Sequence, residues 1–131
     1  QAAMGLCVLD EMEGNLKARA EVWHRYEMEL GKTLQLQTRA KELDYNYAYF
    51  PVLLKSEAQA VRISETLKEN GVIARRYFYP SLESVECLGS VAEQAVSRDI
   101  GSRILCLPIF ADLEVEQVHK IHQIVSDTCR Y

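Results

Sequence analysis

No run of apolar residues in this chain approaches the roughly 18 needed for a membrane-spanning helix, and no signal-type segment opens it. A helical membrane span is excluded on that ground. Charge excludes more: 15 lysines and arginines stand against 19 aspartates and glutamates, for a net charge of −4, and the two signs are interspersed. There is therefore neither the basic footprint that tracks nucleic acid nor a polybasic stripe for an anionic membrane surface. The four cysteines, Cys7, Cys87, Cys106 and Cys129, form no CxxC pair. A chain of this size does not depend on disulfide staples, so a reducing, cytoplasmic setting is expected. Also missing are a glycine-rich phosphate loop, a GxSxG nucleophile elbow, internal repeats, linkers and low-complexity tracts.

What remains is 131 residues with 48% apolar and 26% charged content, the balance of one globular domain that buries roughly two thirds of its unfolded surface. Gln1 to Leu30 is built from helix formers with apolar residues three and four apart. It reads as one long helix or as two joined near Gly14-Asn15, a pair that favours two, and Gly31-Lys32 reads as a stop. Leu34 to Gln37 alternates like a short strand. Tyr45 to Leu54 reads as a strand passing from half-exposed to buried, with Pro51 marking an edge or a bulge. Ser56 with Gln59 is a capping box that opens a helix to Asn70, and Gly71 supplies the positive φ that ends it. Ser90 with Glu93 is a second capping box, for a helix through Val91, Ala92, Ala95 and Val96 that Gly101 closes. Arg103 to Phe110 reads as a buried strand, and Asp112 as the cap of a last helix whose Val115, Val118, Ile121, Ile124 and Val125 form an apolar stripe. The expected fold is α/β (α+β): a two-layer sandwich in which helices pack on a small mixed or antiparallel sheet, preceded by long N-terminal helices. Residues 1–131 make a single domain, with 1–31 as a helical lead-in and 32–131 as the α/β part.

The chain is organised around Gly71 to Leu82, which carries two adjacent arginines, two tyrosines about a phenylalanine, and Pro80. Val72 and Ile73 read as strand residues, and the strand end delivers Arg76, Tyr77 and Tyr79 into a loop. Guanidinium pairs with phosphate or carboxylate, and phenol offers a flat face with a hydroxyl, so an anionic, ring-shaped ligand is the chemistry this stretch suits. The plainer reading, an amphipathic strand packed on a helix with its arginines in water, stays open beside it. His119 and His122 lie on one face of the last helix, but the only other candidate ligands are His24 and isolated, distant carboxylates. They read as surface histidines, not as a metal site. Cys106 reads as a small apolar filler on a buried strand, and Lys55 as a solvated loop lysine.

The order of motifs resembles the C-terminal part of the DegT/DnrJ/EryC1/StrS aminotransferases. The resemblance is carried by the opening Gln1-Ala2-Ala3-Met4-Gly5-Leu6, by Tyr26-Glu27-Met28-Glu29-Leu30, by Tyr49-Phe50-Pro51-Val52-Leu53, by Gly71-Val72 through Pro80, and by Leu105-Cys106-Leu107-Pro108-Ile109-Phe110. Arg75-Arg76-Tyr77-Phe78-Tyr79-Pro80-Ser81-Leu82 looks most like members that act on dTDP-4-keto-6-deoxyhexoses in surface-polysaccharide pathways. The resemblance implies the small domain of a pyridoxal-phosphate-dependent enzyme of type I that aminates a nucleotide-linked keto sugar. Glutamate would be the amino donor and the assembly a homodimer. It implies that the Schiff-base lysine and the other cofactor-binding residues lie in a larger, preceding domain, so that this chain is a piece of a parent roughly three times its length, holds no catalytic residue and is inactive alone. The start without methionine, in what reads as mid-helix, fits that expectation. Many relatives carry histidine at the position of Tyr77, so what carries over to Tyr77 is a hydrogen bond or stacking contact with the sugar. Where some relatives have a second histidine, Leu82 stands here. Arg76 would pair with a nucleotide diphosphate or with the donor's carboxylate. Two other classes stay in view: a free-standing α/β module that binds a ligand or a protein, and a hydrolase using a metal on His119 and His122.

Overall fold

In the computed structural model, which describes residues 1–40, 42–77, 79–85, 89, 92 and 94–130, the chain opens with one uninterrupted helix, α1 (Ala2–Leu30). The expected break at Gly14-Asn15 does not occur. Gly14 has open space around its Cα, so no neighbour demands a side chain or a bend there, and strong helix formers on both sides carry the hydrogen-bond ladder through. Packing begins only in the second half, where Val22, Trp23, Tyr26 and Leu30 are buried on one face.

Three short strands follow: β1 (Gln35–Leu36), β2 (Phe50–Leu53) and, after two more helices, β3 (Ile104–Leu107). They form one antiparallel sheet in the order β1-β2-β3, with Val52 opposite Leu105 and Phe50 opposite Leu107. Burial alternates along β2: Phe50 and Val52 enter the core, while Pro51 and Leu53 face the open side. The strand expected from Tyr45 to Leu54 therefore shrinks to Phe50–Leu53. Tyr47 has φ 51°, a left-handed conformation that no ladder accommodates. Its ring and that of Tyr45 instead pack edge-on against Trp23.

Helix α2 (Glu57–Glu69) starts where expected. The Ser56 hydroxyl accepts from the Gln59 amide at 3.2 Å, but the Gln59 side chain reaches back to the amide of Lys55 instead of Ser56, a capping box displaced by one residue. At its other end Gly71, with φ +78°, lets Val72 donate to Leu67 and Gly71 to Lys68, the paired bonds of a Schellman stop. A single 3-10 turn, Leu82–Ser84, precedes α3 (Ala95–Arg103). Ser90, Val91 and Glu93, the heart of the second expected capping box, lie outside the described residues. Ala92 is not helical, and Gly101 sits inside α3 instead of closing it. The stop comes at Arg103, whose guanidinium clasps Asp99 and donates to the carbonyl of Leu54 at 2.8 Å, tying the helix end to the strand beside it. Helix α4 (Val115–Cys129) begins at Glu114 instead of Asp112, because the Glu114 amide finds an acceptor in the Gln117 side chain at 3.1 Å.

One core joins the layers. Ile63 and Leu67 of α2, Val118, Ile121 and Val125 of α4, and Trp23, Tyr26 and Leu30 of α1 close over Phe50, Val52, Leu105 and Leu107 of the sheet. Each such side chain stabilises the fold by about 1.5–3 kcal/mol through burial. The Tyr26 hydroxyl donates to the Pro108 carbonyl at 3.2 Å, so this buried phenol has its partner, and desolvation raises its pKa. The two-layer α/β sandwich with a small antiparallel sheet is as the sequence predicts. Among the described residues no helix is long and apolar enough to cross a membrane.

Candidate functional site

Residues 72–77 do not form the expected strand. They are held beside β3 by a single bridge in which the Arg75 amide donates to the Cys106 carbonyl at 2.9 Å and the Cys106 amide donates back at 2.8 Å. Among the described residues the stretch makes no further bridge, and Pro80, which has no amide proton to donate, closes it. That one bridge sets the direction of every side chain in the stretch, since successive residues of extended backbone point to opposite sides.

Arg75 and Tyr77 accordingly share one side, with the guanidinium 5.8 Å from the Tyr77 ring centre. Tyr77 is half exposed, at 53%, and meets the Tyr49 ring edge-to-face at 5.3 Å. Together with Ile73, Pro108 and Phe110 they line an open cleft of about 270 Å³. Among the described residues no carboxylate pairs with Arg75. Arg76 turns the other way. It donates to Glu57 at 2.9 Å and to the Ser102 carbonyl at 2.7 Å, and the Tyr79 ring lies 3.7 Å from its guanidinium carbon. The Arg76 hydrogen bond holds the Glu57 carboxyl below its ordinary range, with burial opposing and the Tyr79 hydroxyl assisting. Beyond Pro80, Ser81 is buried, hydrogen-bonds the Glu83 carboxylate, and shares a 2.8 Å bond with Ser97, which ties the loop to α3.

The three residues singled out from the sequence thus fall into two clusters: Arg76 with Tyr79, and Tyr77 with Arg75 and Tyr49. Phe78 lies outside the described residues. Sequence reasoning missed Arg75, Tyr49 and Glu57 as members of these clusters. The period of two would have paired Arg75 with Tyr77, whereas Tyr49 and Glu57 arrive only through tertiary packing.

Elsewhere, Cys106 is buried as expected, and burial pushes its thiol up to about 11. The premise that no third ligand stands near His119 and His122 is corrected. Packing of α1 on α4 brings Glu29 to both, its carboxylate oxygens 3.6 Å from His119 Nδ1 and 3.2 Å from His122 Nδ1.

Comparison with known proteins gives these observations a context. The family model of the DegT/DnrJ/EryC1/StrS aminotransferase family matches residues 1–126. A dTDP-4-amino-4,6-dideoxy-D-glucose transaminase of Shigella dysenteriae is 31% identical over 119 residues, covering 86% of this chain and 32% of the relative. A transaminase of the same name from Escherichia coli is 30% identical over 133 residues, covering 95% of this chain and 36% of the relative. The chain therefore spans about a third of the length of these relatives. Among solved structures, a DegT DnrJ EryC1 StrS aminotransferase from Brucella abortus superposes on the whole chain with a TM-score of 0.89 at 22% identity, with 35% of that protein covered, a likeness of fold.

Proposed function

Because this chain belongs to the DegT/DnrJ/EryC1/StrS aminotransferase family, we propose that it is the small-domain part of a cytoplasmic, homodimeric enzyme that uses pyridoxal phosphate. The enzyme moves an amino group from glutamate to a nucleotide-linked keto-deoxysugar of the dTDP-4-keto-6-deoxyhexose type, for cell-surface polysaccharide. The observation that carries this reading is the match over residues 1–126 together with the 31% identity to a transaminase named for a dTDP-linked amino sugar.

The cofactor, when bound, supplies the electron sink for amino-group transfer. The cleft beside Tyr77 has, among the described residues that line it, neither a lysine nor a carboxylate. It does not fit the cofactor on its own. In this reading the cofactor is held by the remaining two thirds of the parent, and this chain alone is inactive.

The share of this chain is to wall the substrate pocket. Tyr77, braced by Tyr49, presents a flat phenol face and a hydroxyl to the sugar or base, Arg75 offers a guanidinium to the diphosphate, and Ile73 and Phe110 keep water from the apolar wall. Arg76 and Tyr79 are the second anion-binding pair. A phosphate or the donor's carboxylate reaches Arg76 by competing with the Glu57 carboxylate, its 2.9 Å partner.

The test is kinetic, on the longer protein that contains this chain, with glutamate, a dTDP-4-keto-6-deoxyhexose and detection of 2-oxoglutarate. Transamination is expected. Arg75→Ala and Arg76→Ala are each expected to lower kcat/KM for the sugar nucleotide by about tenfold or more, the worth of one charge-assisted hydrogen bond, and Tyr77→Phe by up to about tenfold, the worth of a neutral one. Absence of turnover with any nucleotide-linked keto sugar overturns the class. Unchanged kinetics for a variant removes that residue from the pocket.

A further inference from the structure

We propose that Glu29, His119 and His122 form a binding site for a divalent transition-metal cation of the zinc, cobalt or nickel class, clamping the last turn of α1 to α4. This inference is independent of the aminotransferase reading. The three residues each offer a ligand atom, and these atoms lie within 4.8 Å of one another. A tetrahedral ion with ligands about 2.0–2.1 Å away holds its donor atoms about 3.3 Å apart. The separation of Glu29 Oε2 from His122 Nδ1, 3.2 Å, matches that value, and His119 Nδ1, 3.6 Å from the other carboxylate oxygen, Oε1, completes the set by moving toward the same ion.

Among the described residues, Glu29 Oε2 and His122 Nδ1 are buried yet make no aligned hydrogen bond, although they face each other at 3.2 Å. Buried polar atoms without a partner are costly, and an ion between them satisfies both lone pairs at once. His119 is more exposed and can swing onto the ion. The amide of Gln123 stands 3.1 Å from its outer nitrogen, Nε2. The amide atom placed there is the nitrogen; with the amide flipped, its oxygen accepts a hydrogen bond from His119 Nε2–H and leaves the Nδ1 lone pair for the metal, an orienting contact common at histidine ligands. Two imidazoles and one carboxylate suit borderline transition ions and not magnesium or calcium, which call for oxygen. The set occupies three positions and leaves the fourth to water.

Cobalt(II) serves as the probe, titrated into the longer protein after chelator treatment and dialysis, with uptake measured by metal analysis and coordination by visible absorption. The expected result is about one equivalent per chain with the intense bands of four-coordinate cobalt, displaced by zinc. At least tenfold weaker uptake is expected in both Glu29→Gln and His119→Asn, while His24→Asn matches the wild type. His119 is exposed, so its replacement tests the ligand without threatening the fold. If the wild type takes up no cobalt, or if either Glu29→Gln or His119→Asn binds it as the wild type does, the cluster is an ion pair alone and the proposal is overturned.

Discussion

Arg75 and Arg76 show how little a residue's identity says about its employment. They are adjacent and chemically identical, yet one bridge to Cys106 sends them to opposite sides. Arg76 becomes part of a closed set with Glu57, Ser102 and Tyr79, whereas Arg75 stands over the ring of Tyr77. Cys106 illustrates the same point through its thiol. In the unfolded chain the group ionises near 9.0, but burial holds its proton to about 11. Because the folded state binds the proton more tightly, the thiol's contribution to stability is complete below pH 9 and is lost as the pH rises toward 11. At pH 8 the exposed Cys7 is expected to react with iodoacetamide while Cys106 stays unmodified until denaturant is added, as read by peptide mass mapping. Equal labelling of the two in the native state would refute the burial assigned to Cys106.

At the level of elements, two glycines, one inside α1 and one at its end, have opposite consequences. A methyl group added to Gly14 would have nothing within 4 Å of it, while a Cβ on Gly31 would fall 2.5 Å from the Glu27 carbonyl oxygen. Gly14→Ala is therefore expected to stabilise the protein by about 0.5–1 kcal/mol, since alanine removes unfolded-state freedom without meeting a neighbour. Gly31→Ala is expected to destabilise it by at least as much, since backbone must move. Urea unfolding of the two variants measures both signs, and the same sign for both would contradict the path described for the helix end. The unbroken course of α1 through Gly14 has the same cause: a weak helix former interrupts a helix only when some other conformation offers it a better partner.

For the whole molecule, the first half of α1 is the exposed part. Met4, Leu6, Val8 and Leu9 are between 58% and 72% exposed, a concentration of apolar surface that water does not favour. In the reading proposed above, the rest of the parent and its second copy cover this stripe. Leu6→Lys combined with Leu9→Lys in the longer protein is then expected to shift sedimentation from dimer toward monomer while Trp23 fluorescence stays native, because the substituted residues touch none of the core around Trp23. A persistent dimer would remove the stripe from the interface. Much of the fold was legible from local chemistry: the Ser56 start and Gly71 stop of α2, the buried β3 and the apolar stripe of α4 each depend on residues close together in the sequence, while the family resemblance rests on the order of such short motifs along the chain. Capping, periodicity and positive φ act over one turn, so a string of letters carries them. The length of β2, the split of Arg75 from Arg76, the arrival of Glu57 at Arg76 and of Glu29 at two histidines some ninety positions away were decided only in the packed chain. Such contacts are fixed by which surfaces close on one another to bury Trp23, Ile63 and Val125, and that choice is made by the core as a whole.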